Sequence, residues 1–201
     1  MDRPEFIVAQ ALTVELAGAS AIRAQGIDNV REVAKAVKVP VIGLIKSFTE
    51  GSDVYITPRV DDVLALVEAG ADIVAVDATQ RSRIGGLSLE KFYAEVRKQV
   101  SIPMLADIDS VENALFAQEL GFEAVATTLS GYTDIPAPDL PNIDLISSIA
   151  KTSKVPIIAE GGFGTPAQAQ KAIEAGAWAV CVGTAITNPY LTTQHFIKEA
   201  F

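Results

Sequence analysis

The chain is poor in the residues that build cross-links, metal sites and membrane spans. In 201 residues it has one cysteine, one histidine, one tryptophan and two methionines. A single thiol, Cys181, can form no disulfide within the chain, and such sparse use of cysteine fits a reducing compartment, so a cytoplasmic location is expected. The lone His195 has no Cys or His near it in the sequence, which argues against a histidine-based metal site. No apolar run approaches the ~20 residues that a membrane span requires. The start, "MDRPEFIVAQ", lacks the basic-then-apolar pattern of a secretion signal. Positive charge is also scarce: 16 Lys and Arg stand against 25 Asp and Glu, for a formal net charge of −9, and the basic residues are scattered. Nucleic acids and anionic lipids are bound by clusters of Lys and Arg, so neither is an expected partner. An anionic ligand would have to be held locally, by backbone dipoles and one or two side chains.

What the chain does have is a recurring unit. Apolar runs of strand length appear at 21–24 (AIRA), 41–46 (VIGLIK), 73–78 (IVAVDA), 104–108 (MLADI), 124–129 (AVATTL), 157–161 (IIAEG) and 179–183 (AVCVG). Most are unbroken rather than alternating, as expected of parallel strands covered on both faces. Amphipathic segments lie between them. Residues 28–37 start at an aspartate and carry apolar residues at 30, 33, 34 and 37; the patterns at 59–69, 111–120 and 167–175 each end at a glycine, Gly70, Gly121 and Gly176. Glycine just past a helix supplies the left-handed cap. The phrases EAGADIVAVD, ELGFEAVATT and EAGAWAVCVG repeat one order three times: helix end, glycine, strand.

Alternating strands and helices with short connections predict a parallel α/β fold over 1–201 as a single domain. A doubly wound sheet and an eight-fold barrel both fit this alternation. The barrel is favoured, because polar residues sit at the C-terminal end of nearly every strand, where such barrels build their sites. The expectation is therefore a (β/α)8 TIM barrel with its first strand missing: seven strands and eight helices are visible, and residues 4–18 read as a helix.

The polar residues at the strand ends are Arg23, Lys46, Asp77, Asp107, Thr127, Thr128, Glu160, Gly183 and Thr184. Any one of the five charges could be the first solvated position of a loop. Five at the same structural level point to a shared polar cavity, in which Lys46 and Glu160 would meet. Lys46 ends a run otherwise apolar or glycine; desolvation would lower its pKa and nearby carboxylates would raise it. The junctions EGGFGTP and VGTAITNP carry Gly161, Gly162 and Gly164, and Thr165-Pro166 and Asn188-Pro189 each read as an N-cap followed by proline. Helix starts and glycine turns direct N–H groups at anions, so these two loops are candidate phosphate binders, with two ordinary tight turns as the alternative. The RSR segment at 81–83 is either a solvated loop or a second basic contact. The SGYT segment at 130–133, with Tyr132, either hydrogen-bonds a sugar or is a plain turn. Cys181 and Trp178 read as packing, and His195 as a surface residue on the last helix.

Taken in order, AIRAQG, VIGLIK with SDVYITP, VDATQRSR, MLADI, ATTLSGYT, IIAEG and VGTAIT resemble the N-acylglucosamine-6-phosphate 2-epimerase family across almost the whole chain. The TTLSGYT and SDVxITP motifs are the specific ones. The resemblance implies a (β/α)8 barrel without metal or redox cofactor, acting on N-acetylmannosamine 6-phosphate and N-acetylglucosamine 6-phosphate. It also implies that Lys46 and Glu160 are catalytic and that Arg23 and Asp107 contact substrate. Asp77, Thr128 and Tyr132 join the substrate contacts on their strand-end or loop placement, and phosphate falls to the backbone at Gly161, Gly162, Gly183 and Thr184. The family often has an arginine where Asn188 stands, and it begins with a strand that this sequence does not include. Other phosphate-binding barrel isomerases, and a non-catalytic sugar-phosphate binder, are the competing readings. A homodimer is expected, with the last helix (LTTQHFIKEAF) as a contact.

Overall fold

The computed structural model describes residues 3–135 and 139–200. Among these residues seven parallel strands alternate with helices. The strands are β1 (Ile22–Gln25), β2 (Val41–Leu44), β3 (Ile73–Asp77), β4 (Met104–Asp107), β5 (Ala124–Ala126), β6 (Ile157–Glu160) and β7 (Ala179–Cys181). Their order in the sheet is their order in the chain. That order, with a helix after each strand, is the topology of the TIM-barrel class. The helices are α1 (Pro4–Leu16), α2 (Ile27–Ala36), α3 (Val60–Glu68), α4 (Leu89–Arg97), α5 (Val111–Leu120), α6 (Ile143–Ala150), α7 (Pro166–Glu174), α8 (Thr184–Thr187) and α9 (Pro189–Ala200). The expected eight helices become nine among the described residues, because the segment TAIT winds a short turn of its own before Pro189 starts α9. The expected run 124–129 is likewise cut short. It leaves the sheet after Ala126 and forms a 3-10 turn at Thr127–Leu129.

The residues fall into two compact units, Met1–Asp107 with Glu119–Glu123, and Ile108–Gln118 with Ala124–Phe201. In the first unit the strands are densely covered. β2 and β4 are buried along their whole length, as an unbroken apolar run requires. Val30, Val33, Val63, Leu66, Phe92 and Val96 bring the helix faces onto that sheet. The recurring glycines behave as predicted: Gly70, Gly121 and Gly176 take φ of +94°, +103° and +107° just past α3, α5 and α7. In the second unit Ile146, Ile149, Ile157, Ala159 and Phe163 form the core. β7 is only half-buried on all three residues. Two expectations fail on that strand. Trp178 is 74 % exposed rather than packed, and Cys181 is half-buried rather than core. The sequence pattern of β7 matches the other strands, but the described residues around it leave it partly exposed.

Candidate active site

The first unit carries a buried ion pair between the end of β4 and Arg23, which lies within β1 rather than at the strand end expected for it. Arg23, on β1, donates from Nη1 to Asp107 Oδ1 at 3.0 Å and from Nη2 to Oδ2 at 2.7 Å. The Asp107 side chain is fully buried and that of Arg23 is 9 % exposed. Neighbouring strands lie about 4.8 Å apart, so residues on β1 and β4 would be separated by roughly 14 Å on a flat sheet, with parallel side chains. Their contact follows from curling of the β1–β4 sheet, which turns the two side chains toward each other. A bidentate fork is the strongest geometry available to a carboxylate and an arginine, and it fixes the plane of the guanidinium.

Asp77 is the register partner of Asp107 on the neighbouring strand and is also fully buried. Its carboxylate is taken up by its own loop. Oδ1 accepts from the Thr79 N–H (3.0 Å) and hydroxyl (2.7 Å), and Oδ2 accepts from Arg81 Nη2 (2.6 Å). Burial pushes the Asp77 pKa up, against the opposing hydrogen bond of Thr79 and the charges of Arg81 and Arg83. Any role Asp77 has is therefore exercised through Thr79 and Arg81. The RSR segment divides. Arg81 pairs with Asp77, whereas Arg83 turns inward, 1 % exposed, donates to the Asp77 carbonyl and lies 4.8 Å over the Phe92 ring. Nε and Nη1 of Arg83 are buried without a hydrogen-bond partner among the described residues, and desolvation pushes its pKa down to about 10.

Lys46 lies just past β2 in an isolated antiparallel bridge with Ile56. Its side chain is exposed, and it makes no ion pair among the described residues. The desolvation expected for it is thus not present. The chain after β2 instead runs out and returns: the Ser47 N–H donates to the Tyr55 carbonyl, and the Phe48 and Tyr55 rings stack at 5.0 Å.

In the second unit Glu160 ends β6, half-buried. Thr127 holds its backbone on both sides: the hydroxyl donates to the Glu160 carbonyl (2.9 Å) and accepts from the Glu160 N–H (3.0 Å). Thr128 donates its hydroxyl to Glu160 Oε2 at 3.1 Å. The structure therefore brings both Thr127 and Thr128 to Glu160, as the shared strand-end level suggested. The SGYT loop is anchored by Asp109, whose carboxylate accepts from Asn113 Nδ2 (2.7 Å) and from the Thr133 hydroxyl (2.8 Å). Tyr132 in that loop is exposed.

Both predicted helix starts form. Thr165 caps α7 by accepting from the Gln168 N–H, and Gln168 Oε1 in return accepts from the Gly164 and Thr165 N–H groups. Asn188 Oδ1 accepts from the Leu191 N–H. Gly161 and Gly162 take φ of +105° and +74°, a turn that L side chains rarely adopt. Gly183 precedes α8 and, like Thr184, is exposed. Sequence reading missed the roles of Thr57 and Asp109 and the burial of Arg83. These are polar residues inside loops, and the sequence carries no periodic signal for which loop side chains turn inward. Among the described residues no group of three or more His, Cys, Asp and Glu is placed to hold a metal ion, and no helix is long and apolar enough to cross a membrane.

Residues 7–200 match the family model NanE, described as "Putative N-acetylmannosamine-6-phosphate epimerase". A protein of Caldanaerobacter subterraneus subsp. tengcongensis bearing the name "Putative N-acetylmannosamine-6-phosphate 2-epimerase" is 47 % identical over 196 residues, 96 % of this chain and 82 % of that protein. One of the same name from Klebsiella pneumoniae subsp. pneumoniae is 46 % identical over 188 residues, 94 % of this chain and 79 % of its own. The solved N-acetylmannosamine-6-phosphate 2-epimerase of Clostridium perfringens superposes with a TM-score of 0.94 at 34 % identity, covering 98 % of this chain and 86 % of that one. A thiamine phosphate pyrophosphorylase from Pyrococcus furiosus, at 17 % identity and a TM-score of 0.63, shares the fold alone. Matched over nearly its whole length, the chain belongs to the N-acetylmannosamine-6-phosphate epimerase family.

Proposed function

We propose that this protein interconverts N-acetylmannosamine 6-phosphate and N-acetylglucosamine 6-phosphate by removing and returning the proton at C2. The observation that carries this reading is the buried fork between Arg23 within β1 and Asp107 at the end of β4, in a chain whose relatives at 44–47 % identity are named for that epimerisation. The C2 proton is acidic only when C1 is a carbonyl, so the sugar reacts in its open form. The Lys46 amine takes the C2 proton. The C–H electron pair forms the C1–C2 double bond, and the carbonyl oxygen acquires the negative charge. Arg23, its plane set by Asp107, stabilises that charge or holds the N-acyl oxygen. Return of a proton to the opposite face of C2 gives the epimer, with Glu160, oriented by Thr127 and Thr128, as the second acid/base. A positioned acid/base of this kind is typically worth about 10²–10⁴-fold. Gly161, Gly162, Gly183 and Thr184 anchor the phosphate through backbone N–H groups, which fixes the distant reacting carbon. Asp77 and Tyr132 complete the substrate contacts, Asp77 through Arg81.

Turnover in heavy water tests the reading. Solvent deuterium is expected at C2 of both epimers, and Lys46→Ala is expected to abolish its incorporation. Exchange at the wild-type rate in that variant would remove Lys46 from the reaction. The wider setting belongs to the same proposal: one folded domain, a cytoplasmic homodimer, and sialic acid catabolism as the source of substrate. The exposed apolar residues Tyr190, Leu191, Phe196 and Ile197 on α9 support an association through that helix. Sedimentation at micromolar concentration decides it.

A further inference from the structure

Thr57 combines three properties that a loop residue rarely has together. It is fully buried. It is the one non-glycine among the described residues with positive φ, at +45°. For a β-branched side chain that is a strained conformation, which persists only where surrounding contacts over-determine it. The contacts are three hydrogen bonds. The Thr57 hydroxyl donates to the Ala75 carbonyl of β3 at 2.6 Å and accepts from the Ile45 N–H at 3.2 Å, and the Thr57 N–H donates to the Ile45 carbonyl at 2.7 Å. Both polar groups of the Ile45 backbone are thereby tied to one residue, which is itself tied to the next strand. Ile56, immediately before Thr57, forms the antiparallel bridge with Lys46, and its carbonyl accepts from the Asp77 N–H at 3.0 Å.

A lysine side chain that is exposed and unpaired has nothing of its own to fix its direction. What fixes it is the backbone from which it leaves, and that backbone is held at the preceding residue by Thr57. We infer that Thr57 is the positioning residue for Lys46: a strained, buried threonine that locks the exit of β2 so that the amine departs in one direction. The second unit uses a parallel device, since Thr127 ties both backbone groups of Glu160 through its hydroxyl. The inference rests on the reading that Lys46 exchanges the C2 proton. A misplacement of about 1 Å at a reacting group can cost ~10²-fold in rate.

The test compares Thr57→Ser, Thr57→Val and Thr57→Gly with the unaltered protein. The readouts are kcat and KM per folded molecule and deuterium incorporation at C2, with Lys46→Ala in parallel. Thr57→Ser keeps the hydroxyl and is expected within about threefold in kcat. Thr57→Val keeps the shape without the hydroxyl and is expected to lose at least ~10-fold in kcat with KM nearly unchanged. Thr57→Gly relieves the strain and is expected to lose at least as much. A merely structural role would lower thermal stability and leave kcat of the folded fraction intact. Wild-type kcat in folded Thr57→Val overturns the inference. Should that variant not fold, equal kcat in the serine and glycine variants overturns it instead. If Lys46→Ala is inactive while the Thr57 variants are fully active, only the positioning role fails. If Lys46→Ala exchanges deuterium normally, the proton-transfer reading fails first.

Discussion

Removing one partner of the Arg23–Asp107 pair should damage stability and activity in separable ways. Two unit charges 4 Å apart attract by about 4 kcal/mol at an effective dielectric of 20. Breaking a buried pair from one side typically costs about 3–5 kcal/mol, because the surviving charge is left desolvated. With the Asp107 side chain fully buried and that of Arg23 nearly so, both Arg23→Met and Asp107→Leu are expected at the lower end of that range, ~3 kcal/mol each. The double variant Arg23→Met/Asp107→Leu removes both charges and restores an apolar contact, so it should be more stable than either single variant. A coupling of about 2–3 kcal/mol is expected, since contacting groups are not additive. Activity should not return with stability: all three variants are expected to lose at least ~100-fold in C2 deuterium exchange. Urea unfolding followed by circular dichroism gives the stabilities, and mass spectrometry of the product gives the exchange. A single variant costing less than about 1 kcal/mol would mean that the pair is screened like a surface bridge. A double variant no more stable than the singles would refute the coupling, and one with wild-type exchange would remove the pair from the reaction.

Arg83 offers a prediction of opposite sign. Its folded-state pKa, pushed down to about 10, means that burial penalises the charged form. That penalty is in force at neutral pH and is relieved as pH rises through about 10 toward the ordinary arginine range. Arg83→Met should therefore raise stability at pH 7–9, by about 1–2 kcal/mol after the lost contact with Phe92 is deducted, and the advantage should shrink above pH 10. A flat or inverted difference in urea midpoints across that range would contradict it. Gly162 should tolerate no side chain. A Cβ there would overlap the Leu140 Cβ and stand 3.1 Å from its carbonyl carbon, in a backbone at φ +74°. Gly162→Ala is expected to cost at least ~2 kcal/mol and to weaken phosphate binding, measured by inorganic phosphate competition.

The sequence by itself determined the order of elements, because that order is written in short-range chemistry. Unbroken runs such as VIGL and MLAD between helical patterns suggest buried strands, and a glycine after EA or EL ends α3, α5 and α7 by taking a positive φ. Thr165-Pro166 and Asn188-Pro189 likewise announce helix starts through local hydrogen bonds that the structure contains. Lys46, Asp107 and Glu160 were visible as polar residues near the ends of apolar runs, and Arg23 as the charge within one. What a side chain touches was not visible, since that depends on residues far away in the chain. Asp107 and Arg23 are 84 positions apart, and only the curl of the sheet makes them a pair. The exposure of Lys46 and Trp178, the inward turn of Arg83 and the positive φ of Thr57 are decided in the same way. Loop direction and coverage are set by packing over the whole unit, and identical local sequences can end buried or exposed according to what lies across from them.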